Sequence, residues 1–245
     1  MKNIIVFGAS SDIAISCEKL WAAENNSLFL VARNQQKLDE LTDLLLQSGA
    51  KSIESYCCDF KSVNDMKIVV SMADKFLDGI DIAFIAHGSL PNQLKYQNNP
   101  ELTLEDIKNN ALSTVSILTI LANYFEEKKS GKIALLSSVA GDIGKASNYI
   151  YGSSKAMLNL FMAGLRLRFS NTDVSVTTIK LGYVDTKMTS NFDKNFLWVK
   201  PHFIAKSIVK SIDKSKEEVY LPKIWFFIIS FLKIVPIRIL KLLKL

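Results

Sequence analysis

The sequence predicts an α/β fold, a doubly wound sheet of about seven parallel strands formed as one domain. Three observations carry this. Short apolar runs such as Ile4-Ile5-Val6-Phe7 and Leu28-Phe29-Leu30-Val31-Ala32 lack alternation, as strands buried on both faces do. Between such runs lie segments with helical spacing of apolar residues, for example Leu38, Leu41, Leu44 and Leu45. Gly8 closes the first run and leads straight into a helix. The 245 residues, 49% hydrophobic and 22% charged, suffice for a large core and exclude a disordered chain.

The first strand, residues 4–7, turns through Gly8-Ala9-Ser10-Ser11-Asp12 into a helix over 13–24. A helix N-terminus there offers the backbone N–H groups around Ser10 to Ile13 to an anion such as a pyrophosphate. Asp12 is expected to turn its carboxylate away from that anion and cap the turn. The second strand, 28–32, ends at Arg33-Asn34, and a helix over 36–46 stops before Gly49. Residues 53–57 form the third strand, followed by Cys58-Asp59-Phe60 and a helix from Ser62. The fourth strand, 81–86, ends in Ala86-His87-Gly88. One helix over 102–125 contains Asn110, and residues 132–136 are the fifth strand. A helix over 149–169 carries Tyr151 and Lys155, and the sixth strand spans 174–180. After it come Leu181-Gly182-Tyr183-Val184-Asp185-Thr186, a loop to residue 199, a helix over 201–212 and a last strand at 219–221.

The stretch from Ser137 to Lys155 holds the chemistry. Tyr151 and Lys155 are four residues apart, so on a helix they share a face. A cation beside a phenol favours the phenolate, so the Tyr151 pKa is expected to fall from its usual value of about 10. Such a phenol gives a proton to, or takes one from, a carbinol oxygen. Ser138 ends the fifth strand, where open α/β sheets bind ligands. A Tyr-x-x-x-Lys spacing alone is weak; Ser138 thirteen residues upstream of Tyr151, Asn110 and the Gly8 turn strengthen it. At the end of the second strand Arg33 stands where an NAD site would place an acid. A guanidinium pairs with a 2′-phosphate instead, so the expected cofactor is NADP(H).

Together these residues resemble the short-chain dehydrogenase/reductase family in its compact, single-domain Rossmann form, over about residues 3 to 220. The resemblance implies a catalytic tetrad of Asn110, Ser138, Tyr151 and Lys155, with Asn110 opening its helix locally and supporting a proton relay. It implies cofactor contacts from Gly8, Ser10, Ser11, Asp12, Ile13, Arg33, Asp59, Phe60, Ala86, Gly88, Tyr151, Lys155, Val184 and Thr186. Asp59 would meet the adenine amino group, unless it caps the helix from Ser62. The chain departs from the family pattern at several points. Of the glycine run only Gly8 remains, Ala86 replaces an Asn, and Leu181 replaces a Pro. His87 is either an auxiliary acid or filler beside the ribose. Loops after the sixth strand cover substrate in the family, so Phe192, Phe196 and Trp198 are expected to form an apolar wall. Ala156, Ala163 and Gly164 suit either a subunit contact or packing on the sheet, and a homo-oligomer, dimer or tetramer, is expected.

The charge of +6 is uneven. Residues 223–245 hold Lys223, Lys233, Arg238, Lys241 and Lys244 and no acid, which leaves 25 basic against 24 acidic residues elsewhere. This argues against a nucleic-acid partner and for an anionic surface met by the C-terminus. The run 224–232 is apolar except for Ser230, far short of the roughly 20 residues that span a bilayer. A basic amphipathic stretch follows Pro236. The expectation is a body over 1–222 and a tail over 223–245 that lies on a membrane or in a subunit interface. Three cysteines without metal spacing suit a reducing compartment, no metal site is expected, and the N-terminus shows no secretory pattern. The expected location is cytoplasmic, on the inner face of the membrane. The glycine-poor turn and apolar tail most resemble reductases of polyprenyl-phosphate-linked keto-sugars, such as decaprenylphosphoryl 2-keto-ribose reductases of the cell envelope. A fatty acyl or sterol-like ketone, or a non-catalytic NADP-binding membrane scaffold, stands as the alternative.

Overall fold

A computed structural model describes residues 1–242. Its centre is a seven-stranded parallel sheet: β1 (Asn3–Phe7), β2 (Ser27–Ala32), β3 (Ser52–Cys57), β4 (Ile82–Ile85), β5 (Ser130–Ser138), β6 (Asp173–Leu181) and β7 (Glu218–Leu221). The spatial order is β3-β2-β1-β4-β5-β6-β7. The chain therefore steps outward from β1 to β3, then crosses back to β4 and continues the other way. The crevice between the ends of β1 and β4 is the switch point at which such sheets bind ligands.

Alternate residues of the strands feed two cores. Ile4, Val6, Leu28 and Leu30 pack under α1 (Asp12–Ala23), α2 (Gln35–Gln47) and α8 (Pro201–Asp213). Ile5, Phe7, Phe29 and Val31 pack under α3 (Val63–Leu77), α6 (Ser113–Lys128) and α7 (Tyr149–Arg168). Apolar side chains on both faces explain why the runs do not alternate in polarity.

The helix expected over 102–125 is divided. A short α4 (Gln93–Tyr96) precedes α5 (Pro100–Ile107), whose start is capped by Asn99 with Pro100 in the first turn. One π-helical turn, Lys108–Leu112, then joins α5 to α6. Asn110 lies in that turn and is fully buried.

The tail forms α9 (Ile224–Ile234) and α10 (Ile237–Leu242), separated at Pro236. It is not detached from the body. Trp225, Ile229 and Leu232 of α9 are buried against Val139, Ile143, Tyr183 and Leu197. Its other face exposes Phe226, Phe227, Phe231 and Ile234. Among the described residues no helix is long and apolar enough to cross a membrane. Lys244, part of the expected basic stripe, lies outside the described residues.

Candidate active site

At the switch point Gly8 lies against the chain leaving β4. Its φ is +80°, and a Cβ there would fall 2.5 Å from the His87 backbone nitrogen. Glycine alone meets both demands. Ser11, not Asp12, caps α1, because its Oγ accepts from Ala14 N at 3.2 Å. This corrects the expected cap. Asp12 Oδ2 instead accepts from Lys187 N at 2.7 Å and ties the loop after β6 to the start of α1. Its carboxylate is thus turned toward a donor, and the amides of Asp12 and Ile13 belong to the first turn, which has no intrahelical acceptor for them. Ser10 and Ile13 are half-buried beside this turn.

Arg33 is exposed at the end of β2. Asp59 Oδ1 accepts from Lys61 N at 3.0 Å, while Ser62 caps α3, so Asp59 shapes the turn and is not the helix cap. The Phe60 ring is buried, edge-on to Phe7 and stacked on His87 at 4.8 Å between centroids, so it is committed to packing. His87 Nε2 lies 2.9 Å from Thr114 Oγ1 and 3.1 Å from Ser113 Oγ. Burial, together with the cations Lys155 and Arg33, pulls its pKa down to about 3, so the ring is neutral and not an acid near pH 7. Ala86 continues the edge of the crevice, with its N–H donating to Phe7 O at 2.8 Å.

The tetrad residues meet across three elements. Ser138 ends β5 beside Leu181, and its Oγ accepts from Ala140 N at 3.1 Å. Tyr151 and Lys155 come from the first two turns of α7. The Ser138 hydroxyl donates to Leu181 O at 3.4 Å, and Lys155 Nζ sits 5.5 Å from the Tyr151 ring centroid. Lys155 Nζ also donates to Leu136 O at 3.3 Å. The π-turn places Asn110, fully buried, against Ser89: Ser89 N donates to Asn110 Oδ1 at 2.7 Å. A Cβ on Gly88 would come within 3.1 Å of Asn110 Oδ1 and 3.6 Å of Lys155 Nζ, so that glycine keeps the two polar groups in one space.

The electrostatics differ from the sequence expectation. The Tyr151 pKa is not lowered but raised to about 12. Burial is the main cause; the nearby Ser138 hydroxyl opposes it, and the Asp106 charge adds to it. Lys155 stands over the ring rather than at the hydroxyl. Its own pKa is pulled down to about 8 by burial, which Asp106 partly offsets. Asp106 was not singled out in the sequence, although it lies one helical turn before Asn110, whose Nδ2 donates to its Oδ1 at 2.9 Å.

The loop after β6 returns along the sheet. Val184 is buried and bridges in parallel to Val199. The Thr186 hydroxyl lies 3.3 Å from Thr189 Oγ1. Trp198 stacks on Tyr183 at 5.0 Å, and Phe192 tilts against Trp198 at 6.2 Å. Phe196 is 89% exposed and stands outside this aromatic group, contrary to the expected wall of three. Its place is taken by Trp225 of α9, edge-on to Tyr183 at 4.6 Å and pressed onto Gly182, where a Cβ would meet the indole at 1.9 Å.

A second group went unnoticed in the sequence. Asp142, just past Ser138, pairs with Lys180 of β6 at 2.8 Å, and both side chains are only 6% exposed. Lys180 also meets Glu218 at 2.9 Å and Tyr220 Oη at 3.2 Å, and Tyr220 donates to Asp142 Oδ2 at 2.8 Å. Lys233 of α9 approaches Asp142 at 3.6 Å. A lysine inside an apolar strand was the available signal, since a buried ammonium needs a counter-charge.

Residues 2–196 match the sequence pattern of the short chain dehydrogenases. An uncharacterised oxidoreductase of Mycobacterium tuberculosis is 26% identical over 219 residues, covering 89% of this chain and 88% of that protein. One from Staphylococcus epidermidis is 31% identical over 194 residues, covering 78% of this chain and 82% of its own. The ketoacyl reductase HetN of Nostoc sp. is 25% identical over 226 residues, covering 89% of this chain and 77% of HetN. Among solved structures, an actinorhodin polyketide ketoreductase with NADPH superposes with a TM-score of 0.79 at 18% identity, over 89% of this chain and 95% of that one. The pattern spans most of the seven-stranded body, and the chain belongs to the short-chain dehydrogenase/reductase family of oxidoreductases.

Proposed function

We propose that the protein reduces a ketone to a secondary alcohol with NADPH, or runs the reverse oxidation. The observation that carries this is the convergence of Asn110 and Lys155 beside Gly88, with the Tyr151 ring 5.5 Å from Lys155 Nζ and Ser138 at the end of β5. The donor set suits the dinucleotide. Amides at the start of α1 and the Ser10 and Ser11 hydroxyls suit the phosphates, and the Gly8 turn lets them approach closely. Arg33 suits a 2′-phosphate, and Asp59, the Phe60 main chain, Ala86 and Gly88 border the nucleoside. Val184 and Thr186, in the loop after β6, would hold the nicotinamide end. When bound, the cofactor supplies a hydride to the carbonyl carbon. Tyr151, protonated near neutral pH, gives its proton to the carbonyl oxygen, and Ser138 holds that oxygen by hydrogen bond. Lys155 holds positive charge beside the phenol, and Asn110 with Ser89 and Asp106 continues the polar path by which the proton is replaced.

Arg33→Ala weakens NADPH binding by roughly 10- to 150-fold, for the loss of a charge-assisted bond of about 1.5–3 kcal/mol, and leaves NADH nearly unchanged. Fluorescence titration with both dinucleotides reads this. Equal affinity of the unaltered protein for the two would sink the NADP assignment.

For the substrate we infer a lipid-linked keto-sugar met at a membrane. The support is the basic, acid-free tail and the exposed apolar face of α9 and α10, where Phe231 is 62% and Ile234 78% exposed. The names of HetN and of the polyketide ketoreductase favour a second reading, an acyl ketone. NADPH consumption with a polyprenyl-phosphate keto-sugar against a 3-ketoacyl thioester separates the two. Because α9 is packed on the body, deleting the tail would disturb the core, and surface substitutions test the membrane more cleanly. Phe231→Ser/Ile234→Ser reduces sedimentation with phosphatidylglycerol vesicles at least about tenfold, since each side chain gives up roughly 1.5–3 kcal/mol of apolar burial. A full-length protein that ignores such vesicles, yet loses a dimer on this substitution, would assign the face to a second copy. Self-association is also part of the reading, supported by Leu160 and Leu167, both over three-quarters exposed on α7, and sedimentation velocity reads it.

A further inference from the structure

A groove of about 730 Å³ runs along the edge strand β7 between α8 and α9, within the roughly 300–1,000 Å³ typical of ligand sites. None of the tetrad residues lines it. Its apolar lining includes Phe203, Val219, Phe226 and Phe227, and the three phenylalanines are 50–69% exposed. Its charged lining is Lys210, Lys216, Lys223 and Glu218. The acid is already engaged, 2.9 Å from Lys180 and 3.9 Å from Arg166 in the wall behind. Among the described residues none of the three lysines makes an ion pair. The groove thus combines an apolar trough with uncompensated positive charge. Apolar aromatic surface left in water is costly, and an ammonium beside it attracts an anion without any acid to compete.

We propose that this groove binds one anionic lipid, with its acyl chain against Phe203, Phe226, Phe227 and Val219 and its head group on Lys210 and Lys216. The occupant follows from the lining: a purely apolar ligand would leave the lysines unused, and a compact anion would leave the phenylalanines wet. The site is separate from the catalytic cleft and goes beyond the reductase reading.

The test is a fluorescence titration of the full chain with cis-parinaric acid, which has no ketone, so the outcome is independent of whether the protein is a reductase. Saturable binding of one equivalent is expected, with the methyl ester at least tenfold weaker. Lys210→Glu/Lys216→Glu weakens binding by about 30-fold, five- to sixfold per lysine. Both lysines are exposed, so the fold is retained, which a circular dichroism melt verifies. Val219→Trp, which fills the trough, gives a second and independent loss. Tyr151→Phe leaves the titration unchanged. No saturable signal, equal affinity for acid and ester, or indifference to the lysine substitutions would each overturn the site. So would loss of binding in Tyr151→Phe, which would move the fatty acid to the catalytic cleft, or a groove closed by a second copy in sedimentation.

Discussion

Tyr151→Phe lowers ketone turnover by at least about 100-fold and leaves NADPH binding intact. The substitution removes one hydroxyl from a ring that stays packed as before, so neither the α7 backbone nor Lys155 loses a partner it needs for folding. Burial keeps the phenol up near 12, so in the unaltered protein it remains a proton donor throughout the neutral range. Lys155 is the group that titrates closest to neutrality, pulled down to about 8. Below that pH it carries the charge that steadies the phenolate left as Tyr151 gives up its proton; above it the charge is lost. Reduction is therefore expected to be flat through neutral pH and to fall as pH rises past about 8. The matching stability effect has the opposite sign. The unfolded chain holds the Lys155 proton up to about 10.5 and the folded chain only to about 8, so the penalty of burying this cation shrinks across that window. Stopped-flow reduction and dinucleotide titration of the variant read the first claim. Near-normal turnover in Tyr151→Phe would end the proposed mechanism.

Asp142→Ala is expected to cost about 3–5 kcal/mol of stability, because it leaves the Lys180 ammonium buried without its main counter-charge. On its own, burial would lower the Lys180 pKa; the hydrogen bonds it donates to Asp142, Glu218 and Tyr220 reverse that and raise it. Removing the first of these partners restores the desolvation penalty. For a chain of this size the midpoint of thermal unfolding falls by roughly 6–20 °C. The double change Asp142→Ala/Lys180→Met is expected to be milder than Asp142→Ala alone, since it removes the stranded charge along with its partner. Urea melts of the three variants decide this. A loss under about 1 kcal/mol for Asp142→Ala would mean that Glu218 and Tyr220 satisfy Lys180 unaided. The effect reaches the site as well as the fold. Asp142 closes the turn after Ser138, and Lys180 precedes Leu181, the residue paired with Ser138 across the sheet.

The seven strands were legible because parallel strands buried on both faces must be continuously apolar, and Ile4 to Phe7 or Leu28 to Ala32 have no other stable use. The pairing of Tyr151 with Lys155 was legible because they share a helix, where a spacing of four puts them on one face; Ser138 and Asn110 joined them only through the family resemblance. Other features depend on contacts between residues far apart in sequence. Asp12 accepts from the amide of Lys187, 175 positions away, so its tie to the loop after β6 could not be read locally and a local cap was expected instead. The Tyr151 pKa is set by how much water the fold removes and by Asp106 on another helix, so the neighbouring lysine was a poor guide to its sign. The helix through Asn110 reads as continuous, because a π-turn inserts one residue without breaking the apolar spacing that marks a helix. Periodicity along the chain thus specifies the strands, most of the longer helices and the residue types at the chemistry. The tertiary structure alone decided that Trp225 replaces Phe196 in the aromatic group, that α9 rests on the body, and that Asp142 and Lys180 bury each other. Secondary structure answers to periodicity along the chain, whereas burial and charge pairing answer to which segments the sheet order brings together.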